Sequence, residues 1–325
     1  MGYSAKVYEK VKQDFEQFKM VQIRRRNMCL EEVYKKIPKI EEMDKEISIM
    51  GSQMVSLILE NPGRAKEFTE MVKEKLLYLK EERKKLLVSG GFPEDYTDIH
   101  YNCPFCEDTG YNDGKECECF KIRLREEAYK ESNLCELLKT QSFDKFNLYL
   151  FSDEKVKGVS PRDIAKQNLD FCKKYAKNFK NEEKGLFMYG GAGLGKTFLS
   201  VCIAKEVIDD GGYVIYNSAV TMFGNYMDYI FNRISSPEAR KEIESLKECD
   251  LLIIDDLGAE ATNNQMTAFL FELLNDRILA GRKTIINTNY NLSEIAKTYS
   301  ERIHSRLMQY FDIMNFKGED LREKF

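Results

Sequence analysis

Residues 190–197 read Gly190-Gly191-Ala192-Gly193-Leu194-Gly195-Lys196-Thr197 and fit the spacing G-x-x-x-x-G-K-[ST]. The chemistry of that spacing is phosphate binding. Glycines let the backbone curl until successive N–H groups face one anion, and the N-terminus of a following helix adds positive dipole. Lys196 then reaches the β- and γ-phosphates, and the Thr197 hydroxyl takes a place on magnesium. The competing reading is a plain glycine-rich turn between a strand and a helix. The flanks favour phosphate: Leu186-Phe187-Met188-Tyr189 reads as a buried strand and Phe198 to Ile208 as a helix. All eight loop residues are therefore candidates for binding ATP.

A second motif supplies acid. Leu251-Leu252-Ile253-Ile254 is an apolar run that ends in Asp255-Asp256. Ligands of open parallel sheets sit beyond the C-terminal ends of the strands, which sets Asp255 to hold magnesium together with Thr197. Asp256 is the candidate for orienting or deprotonating the attacking water. Glu is the more usual residue there, and Glu260 in the same loop is an alternative. Asp256 could instead cap the next helix.

Four of the nine cysteines cluster: Cys103-Pro104-Phe105-Cys106, then ten residues, then Cys117-Glu118-Cys119. Two close pairs can complete a tetrahedron of thiolates, with the Gly110 and Asp113-Gly114 turns closing a small knuckle. Zinc is the natural ion for such a set; bare thiols, a redox pair and an iron–sulfur cluster are the alternatives. His100 is close enough to support the ligands from outside. Cys172 and Cys202 fall in helical apolar patterns and read as buried.

These motifs need elements to hold them. Residues 4 to about 88 repeat apolar side chains at three- and four-residue spacing (Val7, Val11, Phe15, Phe18, Val21), with breaks at Pro38 and at Asn61-Pro62-Gly63. Three helices follow, as a hairpin or small bundle. The domain plan is helices over 1–100, the knuckle over 101–120, a linker over 121–150 and the nucleotide core over 151–325. Ser142-Phe143-Asp144-Lys145-Phe146 lies just before that core, where it could pack near an adenine. The core runs strand (185–190), helix, strand (Tyr213 to Asn217), helix, strand ending at Asp255, helix, strand (Lys283 to Thr288). The helix from Ala219 to Phe231 carries Phe223, Tyr226, Tyr229 and Phe231, either as core or as platforms for bases.

Composition narrows the class. A net charge of −4 leaves no general attraction to nucleic acid, so any contact must be local. Arg24-Arg25-Arg26 is such a local group, read first as a solvated face. No apolar run reaches the roughly 18 residues that span a bilayer. With no apolar leader and an odd number of cysteines, the expectation is a cytoplasmic protein without a disulfide framework.

The last core strand ends Asn287-Thr288-Asn289-Tyr290, and Glu301-Arg302-Ile303-His304-Ser305-Arg306-Leu307 and Phe316-Lys317-Gly318-Glu319-Asp320-Leu321-Arg322 follow. With Asp255-Asp256-Leu257-Gly258-Ala259-Glu260, these segments resemble the AAA+ ATPases of the bacterial DnaC/DnaI helicase-loader family. Glu31 to Pro38 and the knuckle with Asp108-Thr109-Gly110-Tyr111 resemble its zinc-containing members, so the likeness covers nearly the whole chain. It implies an α/β fold: an AAA+ P-loop core on a parallel sheet, preceded by helices and a zinc knuckle. It implies that Asn289 is sensor 1, Arg306 an arginine finger acting on a neighbouring subunit and Arg322 the sensor 2 arginine. Arg302, four residues before Arg306, could be confused with it. The implied cofactors are ATP, magnesium and zinc, and the implied partners are the replicative DNA helicase, single-stranded DNA and further copies of the chain, with no membrane. An ATPase helper of a transposase and a nucleotide-gated adaptor with little hydrolysis are the rival readings.

Overall fold

A computed structural model describes residues 2–60, 65–155, 158–231 and 237–324. The chain divides into two compact units, residues 12–119 and residues 1–11 with 120–325.

In the first unit, Pro38 separates α1 (Ala5–Lys36) from α2 (Pro38–Glu60), and α3 is Ala65–Ser89. The Asn61-Pro62-Gly63 break lies outside the described residues. The α2–α3 hairpin closes over Met43, Met50, Val72 and Leu79, and a second cluster joins Val33, Ile40, Leu87 and Phe92. Between them Arg83 donates to both oxygens of Asp44 at 2.7 and 3.2 Å and to Thr97 at 3.0 Å, while Tyr34 also donates to Asp44. Along α1 the apolar periodicity holds as far as Phe15. Val21, expected on the same buried stripe, is 60% exposed because the 3.6-residue period carries it off that face.

The knuckle carries the short ladder β1 (Tyr111–Asn112) and β2 (Lys115–Glu116). Its two-residue turn is Asp113-Gly114, both at positive φ (49° and 74°), the left-handed pair that tight hairpins prefer.

The second unit is built on a parallel sheet of β3 (Gly185–Gly190), β4 (Val214–Ser218), β5 (Leu251–Leu257), β6 (Lys283–Thr288) and β7 (Phe311–Phe316), in the spatial order β4-β5-β6-β3-β7. Helices α6 (Pro161–Lys177), α7 (Lys196–Asp209), α8 (Ala219–Ile230), α9 (Pro237–Glu248), α10 (Asn264–Leu279), α11 (Leu292–Thr298) and α12 (Glu301–Tyr310) connect or flank the strands. Leu186 to Met188 and Leu251 to Ile254 are fully buried, as central strands covered on both faces must be. In the chain β4 intervenes between β3 and β5, but in the sheet it is β6 that separates them. The fifth strand, β7, was not legible in the sequence: Asp312 and Asn315 interrupt its apolar residues, and it follows α12 without a turn.

Residues 121–150, read as a linker, form ordered structure within this unit: α4 (Glu118–Glu131) and α5 (Cys135–Thr140). Phe120, Leu124 and Ala128 of α4 are buried. The segment also covers the outer edge of β4, where Tyr216 N donates to Ser132 O at 3.0 Å and Asn133 Nδ2 to Tyr216 O at 3.3 Å. A bare edge strand invites foreign pairing, and this contact prevents it. At the N-terminal end of β6, Arg277 is fully buried and donates to Thr284 Oγ1, Leu246 O, Cys249 O and Lys283 O. Burial lowers its pKa, and these oxygens replace the water it has lost.

Candidate nucleotide site and cysteine centre

The loop after β3 is shaped by its glycines. Gly193 (φ 67°) and Gly195 (φ 87°) hold left-handed backbone, which costs glycine least. A Cβ on Gly190 would stand 2.2 Å from Phe316 O, so the loop also leaves the sheet flush against β7. Gly195 is the N-cap of α7, and Lys196 begins that helix.

Lys196 is 6% exposed. Its ammonium donates to Gly190 O at 2.9 Å, Gly191 O at 2.6 Å and Asn289 Oδ1 at 2.9 Å. Burial lowers its pKa, with the charges of Asp256 and Asp255 pulling the other way. Asn289, just beyond β6, is thus joined directly to the loop lysine.

Asp255 is 4% exposed and collects three donors. Thr197 Oγ1 lies 3.0 Å from each of its oxygens, Tyr216 OH donates to Oδ2 at 2.6 Å, and Asn287 Nδ2 donates to Oδ1 at 2.6 Å. Asn287 also donates to Ser200 Oγ on α7. Neither Tyr216 nor Asn287 was singled out from sequence. Each matters only through its place on a strand beside β5, a long-range relation that no local pattern in the sequence gives.

Asp256 occupies a β-bulge. Ile254 pairs with Ile286 and Leu257 with Thr288, so two residues of β5 face only Asn287 of β6. At φ 54°, Asp256 takes the left-handed conformation that Asp tolerates better than most residues. In a regular strand Asp255 and Asp256 would point to opposite faces. The bulge brings both carboxylates to one cavity wall. Burial raises the pKa of Asp256, and the neighbouring Asp255 raises it further against the pull of Lys196 and Arg322. The helix-capping reading is corrected here: α10 is capped by Asn263, whose Oδ1 accepts from Met266 N. Glu260 is bound up elsewhere, accepting from Gly258 N and from the Tyr299 hydroxyl. It braces the loop and is not on the cavity wall.

That cavity has a volume of about 880 Å³. Its wall joins the phosphate loop, Asp255, Asp256, Asn289 and Arg322 with an apolar part formed by Leu137, Phe146 and Phe151. Phe146, in the segment expected near an adenine, packs on Phe151 and Phe198 with its edge over Gly195. The C-terminal turn touches the loop itself, as Leu321 N donates to Gly193 O and Asp320 fills the space where a Cβ of Gly193 would be. Arg322 is thereby held at the cavity. Arg306 is not on its wall: it lies on α12 with its guanidinium 6.0 Å from the Phe271 ring and 5.9 Å from that of Tyr310. Arg302, one turn earlier, is exposed. On α8, Phe223 is fully buried and Tyr226 stacks on Phe269 at 3.9 Å, so both are core. Tyr229 is half-buried and Phe231 exposed.

The four knuckle sulfurs, of Cys103, Cys106, Cys117 and Cys119, all lie within 4.8 Å of one another, with Cys103–Cys117 at 3.9 Å and Cys106–Cys119 at 3.4 Å. Tetrahedral thiolates at about 2.3 Å from a metal stand roughly 3.8 Å apart, so the set fits one ion. The Cys106 backbone lowers the Cys103 thiol to about 7, while burial raises Cys106 and Cys119. A cation at the centre is what would draw the protons from these two thiols. Asp108, quoted from sequence only as part of the resembling motif and given no role there, positions the cluster: buried at φ 55°, it accepts from Cys103 N at 2.8 Å and from Asn102 N at 2.9 Å. His100 turns instead toward Asp95, 3.7 Å away.

The sheet order, the loop between β3 and α7 and the paired acids at the end of β5 define an AAA+ P-loop protein. Residues 145–325 match the family described as IstB-like ATP binding protein, and the chain belongs to that family. It is 27% identical over 136 residues to the replicative helicase loader DnaI of Bacillus subtilis (strain 168), a match over 41% of this chain and 42% of DnaI. This chain therefore spans less than half the length of that relative. It is 30% identical over 173 residues to the insertion sequence ATP-binding protein y4pL of Sinorhizobium fredii (strain NBRC 101917 / NGR234), covering 50% of this chain and 69% of that protein. A crystal structure of DnaI aligns with a TM-score of 0.43 at 19% identity, over 57% of this chain and 93% of that one. Among the described residues no helix is long and apolar enough to cross a membrane.

Proposed function

We propose that this chain is an ATP-dependent loader of the replicative DNA helicase onto single-stranded DNA. The observation that carries the reading is that the chain has, in addition to an ATP-binding unit, a second compact unit, residues 12–119, of long helices and a four-cysteine knuckle. An ATPase alone needs neither. The helices of residues 1–100 grip the helicase, the knuckle at 101–120 holds zinc on Cys103, Cys106, Cys117 and Cys119, and 151–325 is the motor.

In the motor, the backbone of residues 190–195 and Lys196 bind the phosphates of ATP. Thr197 and Asp255 hold magnesium, which when bound screens the phosphate charge. Asp256 and Asn289 orient the attacking water, and Asp256 takes its proton. Arg322 meets the γ-phosphate from the same chain. Arg306 meets it from a neighbouring chain, so turnover requires self-association. Hydrolysis then switches the grip on helicase and DNA.

The 30% identity to an insertion sequence ATP-binding protein favours one second reading, an ATPase helper of a transposase. Co-elution of the full chain, with zinc and ATP, with the replicative helicase of the same cell separates the two. Co-elution that Cys103→Ser/Cys106→Ser loses supports the loader. No complex in any nucleotide state overturns it and favours the transposase helper.

A further inference from the structure

The wall of the cavity contains one amide whose oxygen has no partner. Gln141 follows α5, and its backbone N donates to Leu137 O at 2.8 Å to close that helix. Its side chain lines the cavity with Leu137 and Phe146, yet its Oε1 is shielded from water and makes no hydrogen bond. Asn147 on the same wall differs, since its Oδ1 is occupied by Tyr149 N at 2.9 Å. Buried carbonyls are normally paired, and one left over beside a cavity marks a place for a donor. The last torsion of a glutamine is soft, so rotation about it can present the oxygen to the cavity.

We propose that Gln141 reads the base of the bound nucleotide and selects adenine over guanine. This rests on the reading of the cavity as an ATP site. Adenine presents an amino donor next to the N7 acceptor, and a glutamine amide answers both at once. Guanine presents two acceptors, O6 and N7, on that edge. The amide can donate to only one of them, and its carbonyl stays unpaired. Phe146 and Leu137 supply the apolar surroundings in which that difference counts.

The test is the affinity of the full chain for ATP, GTP and purine riboside triphosphate, which is ATP without its 6-amino group. Wild type should bind ATP about tenfold or more tighter than either of the others. Gln141→Leu should abolish the preference for ATP over purine riboside triphosphate, which itself loses only its bond to N7, while the affinity for inorganic triphosphate, which has no base to read, stays unchanged and so reports an intact phosphate site. Gln141→Glu, which accepts but cannot donate, should weaken GTP further while retaining a preference for ATP. An ATP preference that survives in Gln141→Leu, or equal binding of ATP and GTP by wild type, overturns the assignment. Failure of wild type to bind any of the three overturns the ATP-site reading itself.

Discussion

Tyr216 on β4 donates its hydroxyl to Asp255 on β5 at 2.6 Å, across a parallel pair in which Tyr216 is in register with Ile253. Two residues along a strand return to the same face, so the phenol reaches one step forward to the carboxylate. With Thr197 and Asn287 it fixes both oxygens of Asp255 from three elements. Burial and this bond to a carboxylate hold the Tyr216 pKa well above that of a free phenol, so the hydroxyl remains a donor throughout the working range.

Tyr216→Phe removes one of those donors and keeps the ring. A hydrogen bond to a charged group is worth about 1.5–3 kcal/mol, so magnesium-dependent ATP turnover should fall roughly tenfold or more. Nucleotide affinity without magnesium should change little. Titrations with and without the ion check the split.

Asp256 carries a pH prediction. Its pKa is raised in the folded state, chiefly by burial, so its contribution to stability is full below the ordinary carboxylate value and is lost as pH rises through the raised one. Asp256→Asn should therefore melt higher than wild type at neutral pH, with the gap closing in acid. ATP binding should persist while single-turnover hydrolysis disappears. In wild type, hydrolysis should fall on acidification at a pH above that of an unperturbed aspartate.

Arg306 and Lys196 can be tested as a pair. Lys196→Ala should abolish ATP binding, and Arg306→Ala should bind ATP but not hydrolyse it. Mixing the two variants should restore part of the turnover, because an Arg306 from one chain completes a sound loop on another. Steady-state phosphate release from mixtures of varied ratio measures this.

The knuckle should hold close to one zinc per chain, released by a chelator with loss of structure in residues 103–119. Asp108→Ala leaves all four thiols but removes the acceptor for Cys103 N. Supporting groups of this kind are worth about 10–100-fold in metal affinity, and competition with a chromogenic chelator gives the shift directly.

Much of the site was legible because its chemistry is local in sequence. The loop from Gly190 to Thr197 and the pair Asp255-Asp256 each carry their spacing within one strand-to-helix turn or one strand end. The Cys103-to-Cys119 set is closed by the Asp113-Gly114 turn, which has a sequence signature of its own. What was not legible depends on long-range register. Tyr216 and Asn287 matter only because β4 and β6 flank β5, and no local pattern gives the sheet order. The bulge at Asp256 exists only relative to β6. Strand β7 was hidden by its polar residues, and α4 and α5 were misread as a linker because their charged faces outweigh the few side chains they bury.

The central claim is that ATP drives this chain to place the replicative helicase on DNA. The most direct measurement is helicase bound to closed circular single-stranded DNA, with the full-length chain and ATP, against Lys196→Ala. The account predicts helicase on the circle with wild type and none above background with the variant. Equal deposition with both, or none with wild type, would contradict it.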